Sequence, residues 1–211
     1  MLNRSNSTRT SVTTRPDSHA LLTGLTLIVD ENPAPVAAVF AIHEGGDDVV
    51  DISTRVRVNA YSNVRVIAEM DDGSLYQTAR FVKATGGCAA PASKDAAAAL
   101  AAIGKMRLRR FEASALASER REAQVMIRHP NNSGFQVDQI TQLYIPAFFI
   151  DHVEVRQGDT PLFTVDGGIS LSEDPSIRFS YVPNGATEFA VHASDTEGGE
   201  YSRSFPVAEG S

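Results

Sequence analysis

Tryptophan is absent from this chain of 211 residues, cysteine occurs once, and aromatic residues make up only 7% of it. With so few rings there is little material for base-stacking or sugar-stacking platforms. A single cysteine, Cys88, excludes an internal disulfide. No Cys/His spacing offers a zinc template, and His19, His43, His129, His152 and His192 are scattered without ligand spacing. Neither a metal nor a resident cofactor is expected. Basic charge is scarce: 19 Lys and Arg against 26 Asp and Glu leave a net charge of -7. That argues against a general nucleic-acid binder, whose affinity rests on neutralising phosphates with a basic face. Long hydrophobic runs are missing too. The longest, Ala96 to Ile103, is alanine-rich and falls well short of the ~20 residues of a membrane-spanning helix. No spacing fixes two carboxylates across a cleft, as glycoside hydrolysis requires. Met1 to Thr10 is polar and basic with no apolar h-region, so no secretory signal is visible, and residues 1–20 read as a disordered tail or a truncated start.

What is present is ordinary globular material, 42% hydrophobic and 21% charged, much of it with a period of two. Short runs rich in Val, Ile, Thr and aromatics predict strands at 21–29, 36–43, 50–58, 63–70 and 75–82. Asp71-Asp72-Gly73 reads as a hairpin turn of the primed kind. From Ala92 the composition changes: Ser93 is a helix N-cap candidate, Asp95 suits the first turn, and alanines lead to a stop at Gly104. Lys105, Arg107, Arg109 and Arg110 make this linker locally basic, and the alternation of Met106-Arg107-Leu108-Arg109 equally suits a strand. Further strands are predicted at 123–128, 150–156, 162–165, 176–182, 187–193 and 201–207. His129-Pro130 before Asn131-Asn132-Ser133-Gly134 reads as a strand-end turn. The pattern predicts an all-β chain of two antiparallel sandwiches joined by a short helical linker.

Cys88 sits in Lys83-Ala84-Thr85-Gly86-Gly87-Cys88-Ala89-Ala90-Pro91-Ala92, where glycines and small residues stand in place of anything that packs around a thiol. A core cysteine has bulky apolar neighbours; this one has none between Val82 and Leu100. The sequence alone leaves two readings, a presented, reactive thiol on a flexible arm or an incidental linker residue.

Several separated motifs resemble a known family. Leu27-Ile28-Val29-Asp30-Glu31-Asn32-Pro33-Ala34-Pro35-Val36, Ile52-Ser53-Thr54-Arg55-Val56 and the terminal Gly86-Gly87-Cys88 resemble the sulfur-carrier subunit SoxY. Ile127-Arg128-His129-Pro130 and Asp195-Thr196-Glu197-Gly198-Gly199 resemble its partner subunit SoxZ. Together, from about Leu21 to Val207, they resemble the SoxYZ fusions associated with quinoprotein dehydrogenases.

The resemblance implies two immunoglobulin-like sandwiches: a SoxY-like carrier domain at 21–88, an Ala-rich helical linker at 89–111 and a SoxZ-like domain at 112–211. It implies a non-catalytic carrier that holds a sulfur intermediate of thiosulfate oxidation on Cys88, as a thiosulfonate-type adduct and then a persulfide or sulfonate. Gly86, Gly87, Ala89 and Ala90 would form the arm that enters narrow clefts in its partners. Those partners would be a loading cytochrome, a sulfate-releasing hydrolase and a sulfur dehydrogenase, in the periplasm, with no membrane or nucleic-acid partner. In the separate subunit the motif is a free tail, whereas here Ala89 and the whole second half follow it, so the arm is expected to be tethered at both ends. The other function class in view is a periplasmic accessory module for a quinoprotein alcohol dehydrogenase. A lone presented thiol in an oxidising compartment also predicts a homodimer linked through Cys88.

Overall fold

A computed structural model of the chain describes residues 20–43, 51–90, 96–111 and 120–207. Of the tail expected at 1–20, residues 1–19 lie outside the described residues, as does the capping pair Ser93 and Asp95, while Ala20 is described and buried. Strands β1 (Leu22–Val29), β2 (Val36–Ile42), β3 (Ile52–Ser53), β4 (Ser62–Met70) and β5 (Leu75–Val82) make up the first half. A short helix, α1 (Ala96–Ala101), precedes β6 (Met106–Phe111), β7 (Arg121–Ile127), β8 (Ile150–Gln157), β9 (Thr160–Gly167), β10 (Ser176–Tyr181), β11 (Glu188–Asp195) and β12 (Glu200–Pro206). The all-β antiparallel reading holds, and no described helix is long and apolar enough to cross a membrane.

The strands form where side chains alternate between two environments, because successive residues of a pleated strand face opposite ways. In β4, Val64, Val66, Ala68 and Met70 are buried, while Asn63, Arg65 and Glu69 between them are not. In the second half Phe163, Phe179, Tyr181 and Phe189 meet edge to face or tilted, with centroids 4.9 to 6.3 Å apart. Such aromatic pairs contribute beyond the area they bury. The turn after β4 bends on Gly73 at φ 81°, whose N–H donates to Met70 O at 3.0 Å. Gly73 alone carries a positive φ in that turn, so it is a hairpin but not one of the primed kind, which needs positive φ earlier in the loop.

The two halves share their sheets. One has eight strands in the order β12-β11-β8-β9-β2-β1-β4-β5, and the other has four, β3-β10-β7-β6. The join in the large sheet is the antiparallel pair of β2 and β9, from Ala38 opposite Gly167 to Ile42 opposite Phe163. In the small sheet the join is β3 on β10. Buried side chains of both halves form one apolar cluster.

Two expectations need correction. Of the strand predicted over 50–58, Val50 lies outside the described residues and only Ile52–Ser53 joins a sheet; the chain then leaves the small sheet as an extended crossing segment with a single bridge from Val56 to Leu171. There it exchanges bonds with a loop of the second half, Arg57 N–H to Ser170 O at 2.7 Å and Ser172 N–H to Arg55 O at 3.1 Å, and buries Thr54, Val56 and Val58. The span read as helical linker contains only a short helix, and its basic end is β6, paired residue for residue with β7. The alternation of Met106-Arg107-Leu108-Arg109 is thus that of a strand, with Met106 buried.

Candidate functional site

Cys88 is fully buried, at 0% exposure, which overturns the expectation of a presented thiol. The local residues leave it bare, as their sizes require. Its cover comes from segments distant in sequence. The backbone of the arm lies along the crossing segment: Gly86 N–H donates to Asn59 O at 2.8 Å and Gly87 N–H to Val58 O at 3.0 Å. From the second half, the Ser133 hydroxyl donates to Cys88 O and Gln136 Nε2 donates to Ala90 O at 3.2 Å. Cys88 therefore sits in the seam between the two halves, outside the main apolar cluster.

The arm glycines have different reasons. Gly86 adopts φ +73°, a conformation that favours glycine, with nothing close to where a side chain would start. At Gly87 a Cβ would lie 2.7 Å from both Val58 N and Val58 O, so the seat closes only without one. Ala89 and Ala90 are exposed and lead the chain away. The arm, expected from the sequence to be tethered at both ends but to present its thiol, is thus docked in this structure and anchored on both halves.

Arg57 is the charged neighbour. It arrives on the crossing segment, half-buried, and its guanidinium donates to Ile169 O at 3.3 Å and to Leu171 O. Burial pushes the Cys88 thiol above its ordinary value, and the Arg57 charge opposes that without reversing it. Burial also holds the Arg57 pKa below its ordinary value, against the pull of Cys88 and Glu173. Glu173, from the second half, is pushed up by burial and by Asp174. The seat thus keeps the thiol neutral, and the Arg57 cation offsets only part of the cost of a negative charge at the sulfur.

Asn32 holds the crossing segment in place. Its side chain is buried, donates to Arg57 O and Ser170 Oγ at 2.8 Å each, and accepts from Asn59 N–H at 2.8 Å. One amide therefore joins the turn after β1, the platform of the arm and the second half.

The loop that offers Ser133 and Gln136 has its own anchor. His129 is buried; its Nδ1 lies 2.8 Å from Asn131 Oδ1 and its Nε2 faces Asp195 Oδ2 at 3.6 Å. Asp195, also buried, accepts from Glu197 N–H and Gly199 N–H at 2.9 Å each and from Tyr201 OH at 2.6 Å. Burial lowers the His129 pKa, and burial with the Asp195 bond raises the Tyr201 phenol to about 12. His129 lies two residues past the end of β7, in irregular chain, and its ring is set against Asp195 of the segment 195–199. Asp195 is itself only 3% exposed.

Beyond Gln136 the same loop runs out into an excursion closed by bridges between Asn132 and Phe148 and between Val137 and Tyr144. Asp138 Oδ1 ties its tip by accepting from Ile140 N–H and Thr141 N–H. Ile140, Leu143 and Tyr144 are exposed there, at 91%, 69% and 72%.

Arg57, Asn32, Ser133, Gln136 and Glu173 escape single-sequence reasoning as site residues. Their only signal is the motifs they lie in or beside. Among the described residues no three His, Cys, Asp or Glu side chains converge as metal ligands would.

Comparison with known families places two matches in tandem. Residues 4–88 match the family model of "Sulfur oxidation protein SoxY", ending on Cys88 itself. Residues 108–206 match that of "Sulphur oxidation protein SoxZ". A search of curated proteins gives no match.

Proposed function

We propose, for a chain that belongs to the SoxY and SoxZ sulfur-oxidation families and joins both in one polypeptide, that it is a carrier in sulfur oxidation, with Cys88 as the covalent attachment point. The observation that carries this reading is the seat of Cys88: a lone thiol on a glycine arm, held by residues of both halves beside the Arg57 charge. A sulfonate or thiosulfonate on Sγ brings a permanent negative charge, which Arg57 is positioned to balance, whereas the protonated thiol has none. The protein itself performs no turnover. Gly86, Gly87, Ala89 and Ala90 form the arm, and loading requires it to leave its seat, since an oxidising or hydrolysing partner must reach the sulfur.

The exposed Ile140, Leu143 and Tyr144 continue from the loop that holds the arm, and an apolar surface of this kind suits docking by those partners. The partner classes are a cytochrome that loads the adduct, a hydrolase that releases sulfate and a sulfur dehydrogenase, in the periplasm. A homodimer linked through Cys88 forms only from the undocked arm.

Burial of the thiol favours a second reading, an accessory module for a quinoprotein alcohol dehydrogenase in which Cys88 stays in its seat. Intact-mass analysis of protein purified without reductant from its native host, with peptide mapping of Cys88, separates the two. Added mass corresponding to sulfur, sulfonate or thiosulfonate on Cys88 supports the carrier. An unmodified Cys88 that also resists thiosulfate and oxidant in the presence of a loading cytochrome rejects it.

A further inference from the structure

Among the described residues the two sheets end in four edges, and three are guarded against further pairing. β12 carries Glu200 and Arg203 and ends at Pro206. β6 carries Arg107, Arg109 and Arg110, with Arg109 over the Phe111 ring at 4.9 Å. β3 is two residues long. Charges, proline and shortness are the usual means by which an edge strand avoids pairing with another chain.

β5 is the least guarded of the four. It is eight residues long, contains one charge and no proline, and pairs with β4 in unbroken register from Leu75 opposite Glu69 to Val82 opposite Ser62. Its other side faces no described strand. Leu75, Tyr76 and Phe81 are 66%, 51% and 55% exposed.

We infer that β5 is a homodimerisation edge, pairing antiparallel with β5 of a second copy about a two-fold axis at Thr78. The occupant follows from the order of the side chains. A two-fold axis perpendicular to the sheet keeps each face on its own side, so opposed residues must share a face. Centred on Thr78, Leu75 stands opposite Phe81 of the second copy, Tyr76 opposite Arg80, and Gln77 opposite Ala79. The two large aliphatic and aromatic side chains at the ends, Leu75 and Phe81, meet each other and the sole charge, Arg80, meets the Tyr76 ring, both favourable cross-strand pairs. Centred one residue later, Phe81 meets Gln77, Arg80 meets Thr78, and Leu75 has no partner. Centred one residue earlier, Arg80 and Phe81 extend beyond the pairing. One register therefore satisfies the strand, and it is self-complementary. The dimer uses the edge that ends the large sheet and requires no disulfide.

The test uses the full chain in a Cys88→Ser background, which removes any disulfide through the arm. Light scattering after size exclusion is expected to show twice the 22.6 kDa chain mass. Leu75→Lys with Phe81→Lys, which sets ammonium groups against each other at both ends of the pairing, is expected to return the mass to that of one chain. Register is read separately, so that the proposal does not rest on that variant folding. Thr78→Cys is expected to cross-link to its own counterpart with a short thiol reagent. Leu75→Cys is not, because its counterpart lies six residues along the strand, about 20 Å away. A monomer at every concentration overturns the proposal. So does a dimer that survives the double lysine change, or one in which position 75 cross-links to itself and 78 does not.

Discussion

The arm around Cys88 and strand β5 are neighbours in sequence and are held in opposite ways. The arm has almost no side chains, yet Cys88 is buried, and the arm's backbone is bonded to Val58, Asn59, Ser133 and Gln136. β5 carries Leu75, Tyr76 and Phe81 and keeps all three in water. A strand at a sheet edge buries a face only where a second layer reaches over it, and in this fold that layer stops short of β5. An arm of glycines buries itself when a platform accepts its backbone. Hydrophobicity proposes burial; the arrival of a partner from elsewhere in the chain decides it.

The sharpest way to break this contrast is to give the arm a side chain. Gly87→Val drives a branched Cβ into the Val58 backbone, and alkylation of Cys88 is expected to accelerate about a hundredfold as the arm leaves its seat, read by mass spectrometry over time. An unchanged rate would show that the close approach to Val58 does not hold the thiol. Next in size is Asn32→Ala, which strips the amide that pins the arm's platform to the second half. A loss of about 2 kcal/mol in denaturant unfolding is expected from the buried groups left unpaired.

Ser133→Ala removes one anchor and leaves the Gln136 anchor in place. At about 1 kcal/mol for a hydrogen bond, alkylation of Cys88 should rise about fivefold while global stability changes little. Acidity gives a smaller, directional effect. Because burial raises the folded-state pKa of Cys88, the native state favours the neutral thiol. Its contribution to stability is whole below the ordinary thiol pKa and is lost as pH climbs through the raised value. The alkylation rate of the folded chain should therefore rise at higher pH than that of the unfolded chain, and coincident profiles would contradict the buried seat. The smallest effect belongs to β5. Leu75→Ser with Phe81→Ser, measured in solution dilute enough to hold single chains, should alter stability by no more than about 0.5 kcal/mol and leave Cys88 alkylation unchanged.

Much of the fold was legible because a strand's alternation is local. β1, β2, β4 and β5, and later β8 and β10, fall within a residue or two of the runs that predict them, and Gly73 marks its hairpin. The segment 50–58 misled because it alternates like a strand while pairing with an irregular loop; Val56 and Val58 are buried by a crossing, not by a sheet. The glycine arm misled for the opposite reason. Small neighbours state what does not cover Cys88 locally and are silent on Ser133, 45 residues away.

The sequence by itself determined an antiparallel all-β chain, its lone cysteine on a glycine arm, and its membership of two sulfur-oxidation families in tandem. Each of these resides in periodicity, residue identity or ordered motifs. Tertiary structure alone decided that β2 pairs with β9 to run one sheet through both halves, that Asn32 and Arg57 stand at the seam, that the thiol is docked, and that β5 pairs with β4 alone among the described strands. Those are outcomes of long-range packing, in which each residue's surroundings come from chain far away, and no local pattern carries that information.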